Sequence, residues 1–182
     1  MLDFLRGRTD ALLFGAQAVN AYVAEPRMTQ DIDLMSTRAA ELAEEIRAHV
    51  GERFSIATRV RVIRGGMGFR VYQLQEPRNR HLVDVRAVRE LPASRAVDGV
   101  LVLGPPELIA AKVVSMVARD KSPKGATDLA DLRRLLLAFP GLKVEGEEVD
   151  ASLTASQASP AAFTAWRQLV AEDIQPEDDD DV

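Results

Sequence analysis

Phe14-Gly15-Ala16-Gln17-Ala18-Val19-Asn20-Ala21-Tyr22, followed shortly by Pro26-Arg27-Met28-Thr29-Gln30-Asp31-Ile32-Asp33-Leu34, is the stretch on which the reading of this chain turns. Just upstream, Ala11–Phe14 is a short apolar run stopped by Gly15, the pattern of a buried strand and a turn. Residues 16–24 carry Ala16, Val19 and Val23 at helical spacing, and Pro26 ends that predicted helix. Ile32 and Leu34 then alternate with Asp31, Asp33 and Met35, which predicts a strand. Side chains two apart on a strand share a face, so Asp31 and Asp33 point one way and Ile32 the other.

Two carboxylates side by side repel unless something positive stands between them, and a divalent cation is the simplest compensation. A third acid, Asp84, sits in the middle of the apolar run 82–85, where an unpaired charge would be costly. Three acids from two strands suit a hard cation, and such a cation can bridge a triphosphate and activate a hydroxyl. The competing reading is structural: a solvated strand face for the Asp-x-Asp pair, and an ion pair from Asp84 to Arg27 or Arg86.

Composition narrows the chemistry further. The chain has 182 residues, 47% hydrophobic and 28% charged, enough for a globular core or a core with an appended part. It has no cysteine and only His49 and His81, so any metal must be held by oxygen, which favours magnesium, manganese or calcium. No apolar run is long enough for a transmembrane helix or a secretory signal, so the cytoplasm is the expected compartment and no membrane partner is expected. The net charge of −5 argues against a broad nucleic-acid surface, but arginines are dense between Arg53 and Arg95, leaving room for a local basic face. The acidic run 178–181 reads as a solvated, disordered end.

Beyond the acid pair, Thr37 can cap a helix with the stripe Leu42, Ile46 and Val50, ended by Gly51. Val60 and Val62 alternate with Arg59 and Arg61, Gly65 and Gly66 turn, and Phe69, Val71 and Gln73 return, a hairpin. Gly65-Gly66-Met67-Gly68 is that turn and not a phosphate loop, because no helix follows it. Residues 81–88 form another expected strand, with His81 at its start. Pro105 and Pro106 open a helix with the stripe Leu108, Ile109, Val113, Met116 and Val117. A second helix is predicted over 127–139 with Leu129, Leu132, Leu136 and Phe139 inward, and a last one from Ser159-Pro160 with Phe163, Trp166 and Val170 as core packing. Residues 140–158 read as a loosely packed connection. The expected fold is α+β: a small mixed sheet flanked by helices over 1–104, a helical part over 105–175, and an acidic tail over 176–182.

The opening stretch resembles the first motif of the polymerase-β-like nucleotidyltransferase superfamily, and within it the AbiEii-type toxins of type IV toxin–antitoxin systems. Pro106-Glu107-Leu108-Ile109-Ala110-Ala111-Lys112 resembles the Glu-x4-Lys motif of that branch, and Asp128-Leu129-Ala130-Asp131-Leu132 its final Asp-Leu motif, so the similarity spans about 11–136. The resemblance implies that the Gly15 turn approaches nucleotide phosphates and that Asp31 and Asp33 hold Mg2+ (or Mn2+). It makes Asp84 the third acid, a base or second-metal ligand. The turn here is Gly15-Ala16, where many members have Gly-Gly or Gly-Ser.

On the same resemblance, Gly15, Ala16, Arg27, Thr29, Lys112 and Asp131 are substrate-binding candidates, with Lys112 and Asp131 expected to border the cleft of the acids. Each has a bland counterpart: Arg27 pairing with Asp31, Lys112 a surface lysine, Asp131 a solvent-facing helix residue. Arg119, Lys121 and Lys124 fall between the two helices, as a contact for a nucleotide or RNA or simply as a solvated loop. The implied activity moves an NMP from an NTP to an acceptor hydroxyl on tRNA or other RNA, protein or a small molecule, with an antitoxin as a further partner. The alternative is a catalytically inactive, antitoxin-like binding module on the same fold.

Overall fold

The computed structural model describes residues 1–176. The chain divides into two compact units: Met1–Ala21 with Pro26–Gly104, and Tyr22–Glu25 with Pro105–Val182. The expected acidic tail lies, but for Pro176, outside the described residues.

The first unit runs α1 (Leu2–Leu5), β1 (Ala11–Phe14), α2 (Gly15–Asn20), β2 (Ile32–Ser36), α3 (Ala39–Phe54), β3 (Thr58–Ile63), β4 (Gly68–Gln73), β5 (Arg80–Ala87), β6 (Ser94–Val97) and β7 (Val100–Leu103). The sheet has the order β3-β4-β5-β2-β1-β7-β6, with β2–β5 and β1–β7 parallel and the other pairs antiparallel. It is the expected mixed sheet, though wider than a small one. The chain crosses from β2 through α3 and the β3–β4 hairpin before returning in β5 beside β2. That route lays α3 on one face, where its stripe Leu42, Ile46 and Val50 is buried with Leu34, Val71, Val83 and Val85. Burial of each such side chain stabilises the fold by roughly 1.5–3 kcal/mol. The opposite face is left to Asp33, Asp84 and the arginines of β3 and β4.

Several boundaries differ from the sequence expectation, each for a local reason. α2 stops at Asn20 rather than residue 24, because the Asn20 carboxamide donates to the Arg27 carbonyl (2.8 Å) and accepts from the Arg27 N–H (3.1 Å), tying down the following loop. Thr37 does not cap α3. The Ser36 hydroxyl accepts from the Arg38 N–H instead and donates to the Asp10 carbonyl. Nor does Gly51 end α3; the helix runs on to Phe54 and closes at Ser55 in the left-handed region (φ 51). Gly51 serves close packing: a Cβ there would lie 3.1 Å from Thr58 Oγ1, whose hydroxyl donates to the Arg47 carbonyl. The β6–β7 hairpin was not expected. Its turn is Asp98-Gly99, both at positive φ (50 and 80), a pair suited to two-residue hairpins.

In the second unit α4 (Pro105–Ala118) packs on α5 (Pro123–Ala138), α6 (Glu148–Ala155) and α7 (Pro160–Ala171). α5 begins earlier than residue 127, because Ser122 Oγ accepts the Gly125 N–H and Pro123 suits the first helical position. Residues 140–158 are not a loose connection. A 3-10 turn, Pro140–Leu142, leads to α6, which buries Val149 and Leu153; an inward stripe of two residues is too short to stand out as a helical period. Trp166 is core, as expected, and its indole N–H donates to Asp150 Oδ2 at 2.9 Å. Tyr22 meets Phe139 edge-on at 5.4 Å, anchoring 22–25 in this unit. Among the described residues no helix is long and apolar enough to cross a membrane.

Candidate active site

β2 and β5 run in parallel with Asp33 directly opposite Asp84. Registered neighbours on adjacent strands share a face, so the two carboxyls stand side by side. Asp31 lies one residue before β2 begins, at the same end of the sheet. Gly15 opens α2 at φ +70, and a Cβ on it would lie 2.2 Å from Asp33 Oδ2, so only glycine lets that turn close over the carboxyl. Thr29 donates its hydroxyl to the Asp31 carbonyl (3.2 Å), and the Arg27 guanidinium donates to the Met28 carbonyl (3.3 Å). Both therefore brace the 27–31 loop. Ala16 is the second residue of α2 and adds no polar group.

Asp84 has a partner that sequence reading did not name. Arg70, its cross-strand neighbour on β4, donates to both oxygens, from Nε at 2.6 Å and Nη2 at 2.7 Å. This bidentate fork replaces the expected pairing with Arg27 or Arg86. The Arg86 guanidinium instead lies over the Phe14 ring, 4.7 Å from its centroid.

His81 was also missed. The β4–β5 register slips between Val71, opposite Val83, and Tyr72, opposite His81, so Leu82 is an extra residue in β5. The bulge turns His81 to the acid face, although it is three residues from Asp84. Its Nδ1 lies 3.3 Å from Asp31 Oδ2 and its Nε2 3.1 Å from Asp84 Oδ1, the latter close in distance but not aligned as a hydrogen bond. His81 therefore bridges the two outer acids.

The electrostatics separate the acids. Burial, then the charges of Asp31 and Asp84, push the Asp33 carboxyl up to about 6, with His81 and Arg86 countering only in part. Burial would raise Asp84 as well, but the Arg70 fork and His81 outweigh it and hold that carboxyl well below the usual range. A cavity of about 30 Å³ lies over this face, lined by Phe14, Asp33, Arg64, Asp84 and Arg86 among others. Asp33 is thus a desolvated carboxyl with surplus negative charge around it, which is what an oxygen-ligated cation relieves. As the side chains stand, no three His, Cys, Asp or Glu among the described residues are assembled as a metal cage. The oxygens of Asp84 are committed to Arg70.

In the second unit Lys112 is neither a surface lysine nor is Asp131 solvent-facing: they are 6% and 0% exposed. Lys112 Nζ donates to Asp128 Oδ1 (2.9 Å) and Asp131 Oδ2 (2.6 Å), and Asp128 also accepts from Ser115 Oγ (2.8 Å) and from Arg119 at 3.5 Å. α5 buries Leu132 and Leu136 as expected, but it also turns its acids inward at 128 and 131 and leaves Leu129 only half-buried. Lys121 is exposed at φ 65 between the helices, and Lys124 is exposed in the first turn of α5.

Residues 6–180 match the family described as the nucleotidyl transferase AbiEii toxin of type IV toxin–antitoxin systems. The chain belongs to the AbiEii nucleotidyltransferase family. No curated protein matches it. Solved structures share the fold at low identity. The Megavirus polyadenylate synthase is similar with a TM-score of 0.59 at 12% identity, over 76% of this chain and 30% of that one. JHP933 from Helicobacter pylori is similar with a TM-score of 0.52 at 11% identity, over 91% of this chain and 84% of that one. The antibiotic-resistance factor ANT(2'')-Ia is similar with a TM-score of 0.52 at 14% identity, over 87% and 86%. The chain thus spans less than a third of the viral enzyme. At these identities the likeness speaks for the nucleotidyltransferase fold.

Proposed function

We propose that this chain transfers a nucleoside monophosphate from an NTP to an acceptor hydroxyl, with Mg2+ or Mn2+ held by Asp31 and Asp33 and with Asp84 as the third acid. The observation that carries the reading is the side-by-side register of Asp33 and Asp84, with Asp33 raised to about 6 by burial and like charge. When bound, the ion would supply positive charge to the triphosphate and the attacking oxygen. Gly15 lets the α2 turn close over Asp33 and fixes that carboxyl. Asp84, held ionised with both oxygens on Arg70, is the third acid, a ligand for the ion when that fork opens rather than a strong base. In the second unit Lys112 is kept as a substrate-binding residue on the family resemblance, through the one N–H that its two acids leave unused, with the fully buried Asp131 holding it in place.

The acceptor that fits this face best is a polyanion, RNA before protein. Arg61 stands opposite Arg70, Arg70 opposite Asp84 and Asp84 opposite Asp33, a single row across four strands. Arg59 and Arg61 are exposed and have no acidic partner among the described residues. Unpaired arginines leading away from the acids suit a phosphate backbone. A type IV antitoxin is the expected protein partner, from the family.

A second reading has its own observation. The Arg70 fork on Asp84 would keep a non-catalytic binding module folded without metal. Incubation with each α-labelled NTP, divalent ion, and pools of RNA, protein and small acceptors separates the two. Label transferred by the wild type and lost in Asp33→Asn supports the enzyme. No transfer from any NTP replaces it with the binding module.

A further inference from the structure

A second cavity of the first unit lies away from the acid face. It holds about 420 Å³ where β2 and β5 begin, on the side that α3 covers. Its floor is apolar, from Ile32, Val50 and Leu82. Ile32 faces opposite to Asp33, so β2 separates this cavity from the small one over the acids. Three glutamines line it, Gln17, Gln30 and Gln73. None of their carboxamides hydrogen-bonds to another described residue. They come from α2, the loop before β2 and the end of β4, so their convergence is a product of the fold rather than of local sequence.

Each carboxamide presents two donors and an acceptor in one plane, the complement of a nucleobase edge. Phe54, 56% exposed at the C-terminal end of α3, lines the cavity; the Arg53 guanidinium lies 6.0 Å from its ring centroid, and a planar group could stack on the other face. The exposed Arg80 lies at the mouth, placed for a phosphate. Asp31 lines the same cavity while its carboxylate meets His81 on the acid side. Pockets of a few hundred Å3, apolar with a few convergent polar groups, are the usual form of a small-ligand site.

We propose that this cavity is a nucleobase-binding site, distinct from the acid cluster and touching it only through Asp31. The base lies on the Ile32–Leu82 floor against Phe54, with its edge read by the unpaired glutamines. The base belongs either to a free nucleoside or nucleotide, or to an unpaired nucleotide of an RNA strand. The site rests on the nucleotidyl-transfer reading only in what it would serve, since nothing in the cavity requires a divalent ion. It is therefore tested without one.

The full chain is titrated calorimetrically with adenosine, guanosine, cytidine and uridine in EDTA, then with mononucleotides and with short RNA ending in each base or in an abasic residue. At least one nucleoside should bind, Gln73→Leu should weaken it by at least about tenfold, and Ile56→Trp, which fills the cavity, should abolish it while the chain stays folded. Gln30→Leu, at an exposed position, is the parallel test should either variant unfold. Competition by RNA that fails with the abasic end assigns the site to a strand; competition by mononucleotides alone assigns it to a free nucleotide, and both support it. Absence of binding by every nucleoside and oligonucleotide, or binding unchanged in the variants, overturns it. Loss of metal-dependent transfer has no bearing on that result, so the two readings fail separately.

Discussion

Gly15 and Asp33 meet so closely that a Cβ on the glycine would lie 2.2 Å from Asp33 Oδ2. Gly15 also stands at φ +70, so alanine there would be strained by backbone and contact together. Gly7 is a built-in control, with φ +73 and nothing within 4 Å of its would-be Cβ. Gly7→Ala should cost about 1 kcal/mol, the left-handed penalty alone. Gly15→Ala should cost more, about 2–3 kcal/mol, and reduce transfer further than the lost stability accounts for, because Asp33 must move. Urea unfolding of both variants beside a transfer assay checks this. Equal costs would mean that Asp33 yields freely and that Gly15 does not position it.

Asp33→Asn should separate stability from activity, with a defined pH dependence. The Asp33 carboxyl is raised from 3.8 to about 6, so between those values the folded chain holds a proton that the unfolded chain has released. The folded state binds more protons in that window, so stability falls as pH rises through it. At pH 7 the asparagine variant should be the more stable, by on the order of 2–3 kcal/mol, and the gain should vanish near pH 3.5. Transfer should be lost. Added Mg2+ should raise the Tm of the wild type at pH 7 and leave that of the variant unmoved. A variant less stable at pH 7 would make Asp33 a structural anchor rather than a strained ligand.

Arg70 sets the state of Asp84. The pair is half-buried, so removing Arg70 as Gln should cost about 1–3 kcal/mol at neutral pH. Asp84 is depressed, so its contribution is present above the unfolded carboxylate value and is lost as pH falls; the gap between wild type and variant should narrow below about pH 4. Freed of the fork, Asp84 becomes available beside Asp33. Divalent ion should then stabilise Arg70→Gln more than it stabilises the wild type. Equal Mg2+ shifts in Tm would place Asp84 outside the cation site.

The acid pair, the Gly15 turn, the β3–β4 hairpin and α7 were legible because each depends on neighbours in sequence: an alternation, a glycine between apolar runs, a Ser-Pro start. Family membership was legible for the same reason, since the first motif is one continuous stretch. What was not legible depends on pairing between distant strands. Arg70 could be matched to Asp84 only once the β4–β5 register was known, and His81 reached the acid face only through an extra residue, Leu82, that no pattern announces. The inward turn of Asp128 and Asp131 was hidden because charged residues beside a leucine stripe read as its solvent side, although only Leu129 of the pair Leu129 and Leu132 is left half-buried. A lysine on the facing helix, α4, decides the matter. The β6–β7 hairpin could have been read from Asp98-Gly99, which stands between Ala96-Val97 and the apolar run 100–103.

The buried trio Lys112, Asp128 and Asp131 gives the last prediction. Lys112→Met would leave two buried carboxylates facing each other, Asp128 keeping Ser115 and Arg119 as partners. Breaking a buried pair from one side typically costs about 3–5 kcal/mol, whereas loss of an exposed lysine costs well under 1 kcal/mol. Adding Asp131→Leu to Lys112→Met removes the more deeply buried of the two acids, so the double variant should regain a large part of the loss, a coupling that a double-mutant cycle measures directly. Stability and transfer then separate two roles for Lys112. If the double variant regains stability and transfer together, Lys112 acts only by positioning α4 against α5. If stability returns while transfer stays lost and KM for the NTP stays raised, the third N–H of Lys112 contacts substrate, which is the outcome expected here. A single variant as stable as the wild type in urea would sink both, because it would mean that the network carries no charge worth compensating.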